Sequence, residues 1–282
     1  MICYLCGKTH FKERSGSVRD KPELGILECM SCGLVFLSSF DHISDGYYEQ
    51  SWMHETDIDI RAWMNETNWD DERRFSFLYR LIENKRVLDF GCGNGAFLLK
   101  AKGIAEEVAG VELEKRLMPH FQQHNLHVFR NIEEVVGRFD VITMFHVLEH
   151  LPDPIKLLQQ LAQHMEDNGQ LIIEVPNAKD ALLELYRSKP FSHFTYWGCH
   201  LYLFTQSTLE QLARKAGFKI NYIKQIQRYP LSNHLYWLTI GKPGGHRLWS
   251  FLDSPEMIEA YEKSLASVGL CDTIIASFSK NI

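Results

Sequence analysis

"VLDFGCGNGAFL" (Val87–Leu98) places three glycines, Gly91, Gly93 and Gly95, within five positions, directly behind the short run Val87–Phe90. Glycine permits a tight turn there and lets a ligand approach the backbone closely. The segment therefore reads as a strand that enters a helix through a ligand-binding loop. Outward from it, strands and helices alternate. The spacing predicts strands over Arg86–Phe90, Val108–Leu113, His127–Arg130, Phe139–His146 and "QLIIEVPN" (Gln170–Asn177). It predicts helices over Gly95–Ala105, Lys115–Gln123 and "DPIKLLQQLAQHM", where Ile155, Leu158, Leu161 and Met165 share one face. Asn168-Gly169 reads as a chain break. Near-continuous apolar strands separated by helices predict a parallel sheet covered on both faces.

The C-terminal third refines this α/β class. Ser207 and Glu210 in "STLE" read as a capping box, and the helix they open ends at Gly217. Phe218, Ile220 and Tyr222 alternate as a strand does, and a last strand covers Asp272–Ser279. Between them lies an insertion, Tyr229–Cys271, with a helix starting at Ser254-Pro255. Two consecutive strands without an ordinary crossover helix predict one antiparallel strand in an otherwise parallel sheet.

Composition narrows the classes. The 282 residues are 45% hydrophobic and carry a formal charge of −6. An acidic chain is a poor match to a phosphate backbone, so no nucleic-acid partner is expected. "MICYLCG" has no basic-then-apolar leader pattern, and no stretch is long enough to span a bilayer, so the expectation is a soluble, cytoplasmic protein.

Four of the seven cysteines form two C-x-x-C pairs, Cys3/Cys6 and Cys29/Cys32, with 22 residues between the pairs and a glycine after each. Two such pairs can supply four thiolates to one tetrahedral structural zinc. The resulting division is a ribbon over 1–39, an aromatic and acidic linker with helical lid over 40–82, and an α/β domain over 83–282, whose 229–271 insertion shapes an acceptor pocket. Tyr47 and Tyr48 are candidate lid residues.

The glycine loop alone is ambiguous, because Gly91, Gly93 and Ala96 also satisfy a dinucleotide fingerprint. Asp89 weighs against pyrophosphate: a carboxylate before the turn repels phosphate and attracts a cation. Here "VLDFGCGNGAFL" resembles the first motif of class I S-adenosylmethionine-dependent methyltransferases. "GVEL" with Glu112 resembles their ribose-binding motif, and "FDVITMFHVLEHLPDP" and "GQLIIEVPN" resemble the strands that follow. With the ribbon, the likeness is to bacterial sugar and small-molecule methyltransferases, and it covers about Arg86 to Phe218. It implies a seven-stranded Rossmann-like sheet with a reversed last strand. It implies S-adenosylmethionine held by Asp89, Gly91, Cys92, Gly93, Gly95, Glu112, Leu113 and Phe145, with Asn131 standing where many members carry an adenine-side acid.

"CHLYLF" is similar to that group's "EH-x-x-F-S" stretch, with Cys199 in place of the acid. The expected reaction is therefore methylation at O or N of a saccharide, nucleotide-sugar or related metabolite, rather than at C. His146, ending the fourth strand, and His200 are the candidate general bases; Glu149 and His150 read as turn-holding residues, and His193, His234 and His246 as surface histidines. An RNA methyltransferase and a non-catalytic zinc-ribbon binding protein are the alternatives. The acceptor's identity and the oligomeric state are not encoded in any motif.

Overall fold

The described residues, 1–44, 46–49 and 58–281, form eleven strands in two sheets in this computed structural model. In chain order they run β1 (Phe11–Glu13), β2 (Ile26–Cys29), β3 (Val35–Leu37), α1 (Ile60–Ile82), β4 (Arg86–Phe90), α2 (Ala96–Ala101), β5 (Glu107–Val111), α3 (Met118–Gln123), β6 (His127–Phe129) and β7 (Phe139–Phe145). There follow α4 (Pro154–Gln163), β8 (Met165–Pro176), α5 (Ala181–Glu184), α6 (Lys189–Ser192), β9 (Tyr202–Leu203), α7 (Gln206–Lys215) and β10 (Phe218–Ile226). The chain ends in α8 (Leu231–Ile240), α9 (Gly245–Leu248), α10 (Pro255–Val268) and β11 (Thr273–Lys280). Residues 45 and 50–57 of the expected linker lie outside the described residues.

The main sheet has the order β10-β11-β8-β7-β4-β5-β6, and β11 runs antiparallel to both its neighbours while the rest pair in parallel. This is the seven-stranded arrangement with a reversed final strand that the sequence implies. Its alternation is visible in the core. Val141 and Ile172 pack on one face with Leu78 and Ile82 of α1, and Ile142, Leu171 and Ile173 pack on the other with α4 and α7. Among the described residues no helix is long and apolar enough to cross a membrane.

Local rules explain several element ends. Pro154 sits at the first position of α4 behind Asp153, whose carboxylate accepts from Lys156 N–H. Ser254, Pro255 and the left-handed Gly269 bound α10 in the same way. Two expectations shift. The box that opens α7 is Thr205 with Thr208, two residues upstream of Ser207, because the chain turns into the helix directly after β9. Asn168-Gly169 does not end a segment. β8 runs through it, and the pairing register jumps from Phe139↔Met165 to Val141↔Gln170.

The N-terminal sheet has the order β1-β2-β3-β9, all antiparallel. Its fourth strand comes from the chain just after His200, with Val35 opposite Leu203 and Phe36 opposite Tyr202. Further bonds tie the two regions: Leu37 N–H to Leu201 O (3.1 Å), Gly198 N–H to Asp20 Oδ1 (2.8 Å) and Ile155 N–H to the Tyr4 hydroxyl (3.0 Å). The ribbon is therefore woven into the segment that carries His200.

Candidate functional site

The loop between β4 and α2 needs its glycines. Gly91 has φ +73°, and a Cβ there would stand 2.4 Å from Val147 Cγ2. Gly93 has φ +53°, and its Cβ would meet the Trp63 ring at 3.2 Å. Glu112, one residue past β5, is gripped by this loop: Oε2 accepts from Gly93 N–H and Oε1 from Glu114 N–H, both at 2.9 Å. Burial raises its carboxyl above the ordinary range, and those N–H groups pull the other way. Asp89 is buried in β4, accepts from Thr143 Oγ1 at 2.7 Å, and is pushed up by burial to about 7.

A cavity of about 560 Å³ opens over this loop. Of the residues expected at the cofactor, Asp89, Gly91, Cys92, Gly93, Glu112, Leu113 and Phe145 line it. Gly95 and Asn131 do not. Gly95 opens α2, and a Cβ there would stand 3.2 Å from Phe121 and 3.0 Å from Leu126, so its glycine serves packing. Asn131 is engaged with Glu134, accepting from its N–H (3.1 Å) and donating to its Oε1 (2.9 Å). The opposite wall is α1, whose Trp63, Thr67, Asp70, Asp71 and Arg74 face in, with Tyr48 at another edge. Five carboxylates (Asp70, Asp71, Asp89, Glu112, Glu114) thus line the space against two guanidiniums, Arg74 and Arg228. Such a lining favours a cationic ligand.

Beneath the cavity lies a charge cluster that no motif announced. Glu174, fully buried in β8, accepts from Arg73 Nη2 at both oxygens (2.9 Å each) and from Arg74 Nε (3.0 Å) and Nη2 (2.6 Å). Burial alone would raise its carboxyl; Arg74, His146 and Arg73 outweigh that and hold it well below the carboxylate range. Asp70 pairs with Arg228, whose Nε stands 2.9 Å from Oδ1. One signal was legible: a glutamate inside "LIIEVP" is out of place in an apolar strand unless paired. Arg73 and Arg74 gave none, since "DDERR" reads as a solvated helix face.

The histidines separate into different roles. His146 leaves β7 with φ +54°, a left-handed conformation uncommon outside glycine, and its N–H is bonded to Glu174 O at 2.8 Å. Its ring is hemmed in: Nε2 lies 3.2 Å from Glu174 Oε1 and 3.2 Å from Arg228 Nη1, and Nδ1 lies 3.4 Å from Glu149 Oε1. Glu149 is fully buried and has no hydrogen-bond partner among the described residues. Burial would raise it; the adjoining His146, then His150 and His200, hold it down to about 2. His200 is different. Its Nδ1 is buried with no hydrogen-bond partner among the described residues, and burial, with His150 next to it, pushes its pKa down to about 3. Its ring meets His150 edge-on at 4.9 Å. Of the three expected surface histidines only His193 is exposed. His234 is buried, with Nδ1 2.7 Å from the Tyr261 hydroxyl, and His246 is half-buried. The insertion folds inward, which takes His234 and His246 off the surface.

That insertion builds a second cavity of about 390 Å³. His146, Trp197, His200 and Arg228 line both cavities, so they mark the junction. Phe191, Phe194 and Trp237 form an aromatic wall, with ring centroids 5.2 Å (Phe191–Trp237) and 5.0 Å (Phe194–Trp237) apart.

At the ribbon, Cys3, Cys6, Cys29 and Cys32 bring all four sulfurs within 4.8 Å of one another, with Cys3–Cys32 at 3.6 Å and Cys6–Cys29 at 3.5 Å. A tetrahedral zinc with bonds of about 2.3 Å needs sulfurs about 3.8 Å apart. Backbone N–H groups of Leu5 and Cys6 point at the Cys3 sulfur, and those of Ser31 and Cys32 at the Cys29 sulfur. The four residues fit such an ion.

Comparison with known proteins agrees with the fold. Residues 60–223 match the methyltransferase domain family. The ubiquinone biosynthesis O-methyltransferase of Hydrogenovibrio crunogenus is 26% identical over 210 residues, which cover 60% of this chain and 84% of that protein. Its counterpart from Coxiella burnetii is 28% identical over 169 residues, covering 54% and 71%. A Thermotoga maritima protein solved as an S-adenosylmethionine-dependent methyltransferase, possibly acting on histamine nitrogen, superposes with a TM-score of 0.52 at 18% identity, over 78% of this chain and 94% of that one. That likeness shows the shared fold.

Proposed function

Since this chain belongs to the methyltransferase domain family and is an S-adenosylmethionine-dependent methyltransferase, we propose that it methylates a hydroxyl group on a small ring metabolite of saccharide type. The observation that carries this is the pair of joined cavities. One is acidic and floored by the glycine loop, the other is aromatic, and they meet at four shared residues. S-adenosylmethionine, when bound, supplies a methyl group already activated by its sulfonium.

The chain's own residues then have three tasks. Asp89 and Glu112 hold the cationic cosubstrate, Glu112 through two adjacent ribose hydroxyls, and the α1 wall with Trp63 covers it. The Phe191, Phe194 and Trp237 wall orients the acceptor so that its oxygen faces the junction, where alignment itself removes several kcal/mol of barrier. His200 would accept the proton that the acceptor hydroxyl gives up when it is methylated. His200 suits this better than His146, whose two ring nitrogens already face Glu149, Glu174 and Arg228. His146, between Glu149, Glu174 and Arg228, fixes the junction's shape. Oxygen is preferred over nitrogen because the relatives with sequence likeness are named O-methyltransferases. We place a structural zinc on Cys3, Cys6, Cys29 and Cys32, distant from the methyl group.

Replacing His200 with Asn tests the base. Turnover with an identified acceptor should fall by about 10²–10⁴ while S-adenosylmethionine affinity stays within about twofold. Near-normal turnover would remove His200 from the reaction and return the role to His146.

A further inference from the structure

The two cavities differ in charge as well as in wall chemistry. The first carries five carboxylates against two guanidiniums. Among the described residues, the second is lined by Arg19, Arg228 and the rings of His146, His200, His234 and His246, against only Asp180 and Asp272. Neither acid is a free anion facing that space. Asp180 Oδ1 accepts from Leu182 N–H at 2.6 Å, and burial, then Asp272, pushes its carboxyl up to about 8. Asp272 accepts from Arg228 N–H (3.0 Å), Tyr229 N–H (3.0 Å) and Gln227 Nε2 (2.9 Å). Arg228 is already paired with Asp70.

Arg19 stands apart. It comes from the ribbon, between β1 and β2, and its backbone N–H bonds Tyr196 O at 3.0 Å. Its guanidinium carbon lies 4.0 Å from the Trp197 ring centroid and 4.9 Å from that of Phe194. Stacked in this way, the guanidinium is aimed with little rotamer freedom left to lose. It has no carboxylate in ion-pair distance among the described residues, since its neighbour Asp20 is turned to Gly198 N–H. A held, unpaired guanidinium at the rim of an aromatic cavity is a receptor for a planar anion.

We propose that Arg19 is a specificity-determining residue of the acceptor site: it selects a ring compound that carries a carboxylate or a phosphate, whose ring lies on the aromatic wall while its anion meets the ribbon. This deepens the methyltransferase reading and rests on it. It also gives the ribbon a direct part in substrate choice.

The test uses full-length, metal-loaded protein saturated with S-adenosylhomocysteine. Two probe series are titrated by calorimetry: benzyl alcohol, benzoate and phenyl phosphate; and glucose, glucuronate and glucose 6-phosphate. In at least one series the anionic members should bind about 10-fold tighter than the neutral one. Arg19→Ala should level that series, and Arg19→Lys should restore part of the difference. The better of carboxylate and phosphate identifies the anion. No preference in either series, or a preference that survives Arg19→Ala, overturns the proposal. S-adenosylhomocysteine affinity, measured in the same samples, should be unchanged by either variant. If that ligand fails to bind the parent protein, the cosubstrate site has been misread; if it binds and the anion preference is absent, only the Arg19 assignment fails.

Discussion

Glu174→Gln removes one charge from the middle of the main sheet, and the structure fixes what it leaves behind. The parent carboxylate accepts four N–H contacts from Arg73 and Arg74 at 2.6–3.0 Å and is fully buried. The amide keeps one acceptor oxygen and turns a donor group toward two guanidiniums. Breaking a buried pair from one side costs about 3–5 kcal/mol, because the remaining charge is uncompensated. For a chain of 282 residues, with an unfolding entropy of about 2.1 cal/mol/K per residue, that is a fall in Tm of about 5–8 °C. The pH dependence gives a second reading. Glu174 is held below its ordinary pKa, so its contribution is fully present above the unfolded value of about 4.3 and is lost as pH falls through the folded value. The gap in Tm between parent and variant should therefore be widest near neutrality and shrink below about pH 4. Scanning calorimetry on both proteins measures it. A Tm at pH 7 within about 1 °C of the parent would refute the buried cluster as a stabilising element.

Glu112→Ala should weaken S-adenosylmethionine binding by about 2–3 kcal/mol, the value of a charge-assisted pair of hydrogen bonds, as read by calorimetry; unchanged affinity would remove the ribose role. Elemental analysis should give about one zinc per chain. Chelation should then speed hydrogen exchange at Leu201–Leu203, where β9 leans on the ribbon, while β4 and β7 stay protected. Equal protection of β9 with and without metal would show that the four cysteines do not support that pairing.

What was legible followed from local physics. The glycine loop is readable because only glycine tolerates φ near +73° with Val147 2.4 Å from where a Cβ would stand. The parallel strands are readable because burial on both faces removes most polar residues from them, and the helix start at Ser254-Pro255 because the serine satisfies a helix-end N–H. The rest needed distance. Glu174 meets Arg73 across 101 positions and Arg74 across 100, and an arginine pair in "DDERR" looks the same in water as in a core. β9 has two residues, too few for any period to show, yet it joins the ribbon to the histidine segment. Asn131 was read from a family position; its own neighbour Glu134, three residues on, takes both ends of its amide.

The strained backbone at His146 ties these findings together. A non-glycine residue in the left-handed region costs on the order of 1 kcal/mol and persists only where its surroundings over-determine it. Glu174 supplies that determination twice, through its carbonyl to His146 N–H and through its carboxylate to the ring edge. The same carboxylate anchors Arg73 and Arg74, and with them the helix that carries Trp63 over Gly93. One buried side chain therefore holds both the wall of the acidic cavity and the histidine where the two cavities meet. A shift of α1 cannot leave the junction untouched, because both are referenced to one point in β8. Alignment of nucleophile, carbon and sulfur is most of what methyl transfer requires of a protein, and a shared anchor is a direct way to keep the walls of the two cavities in register.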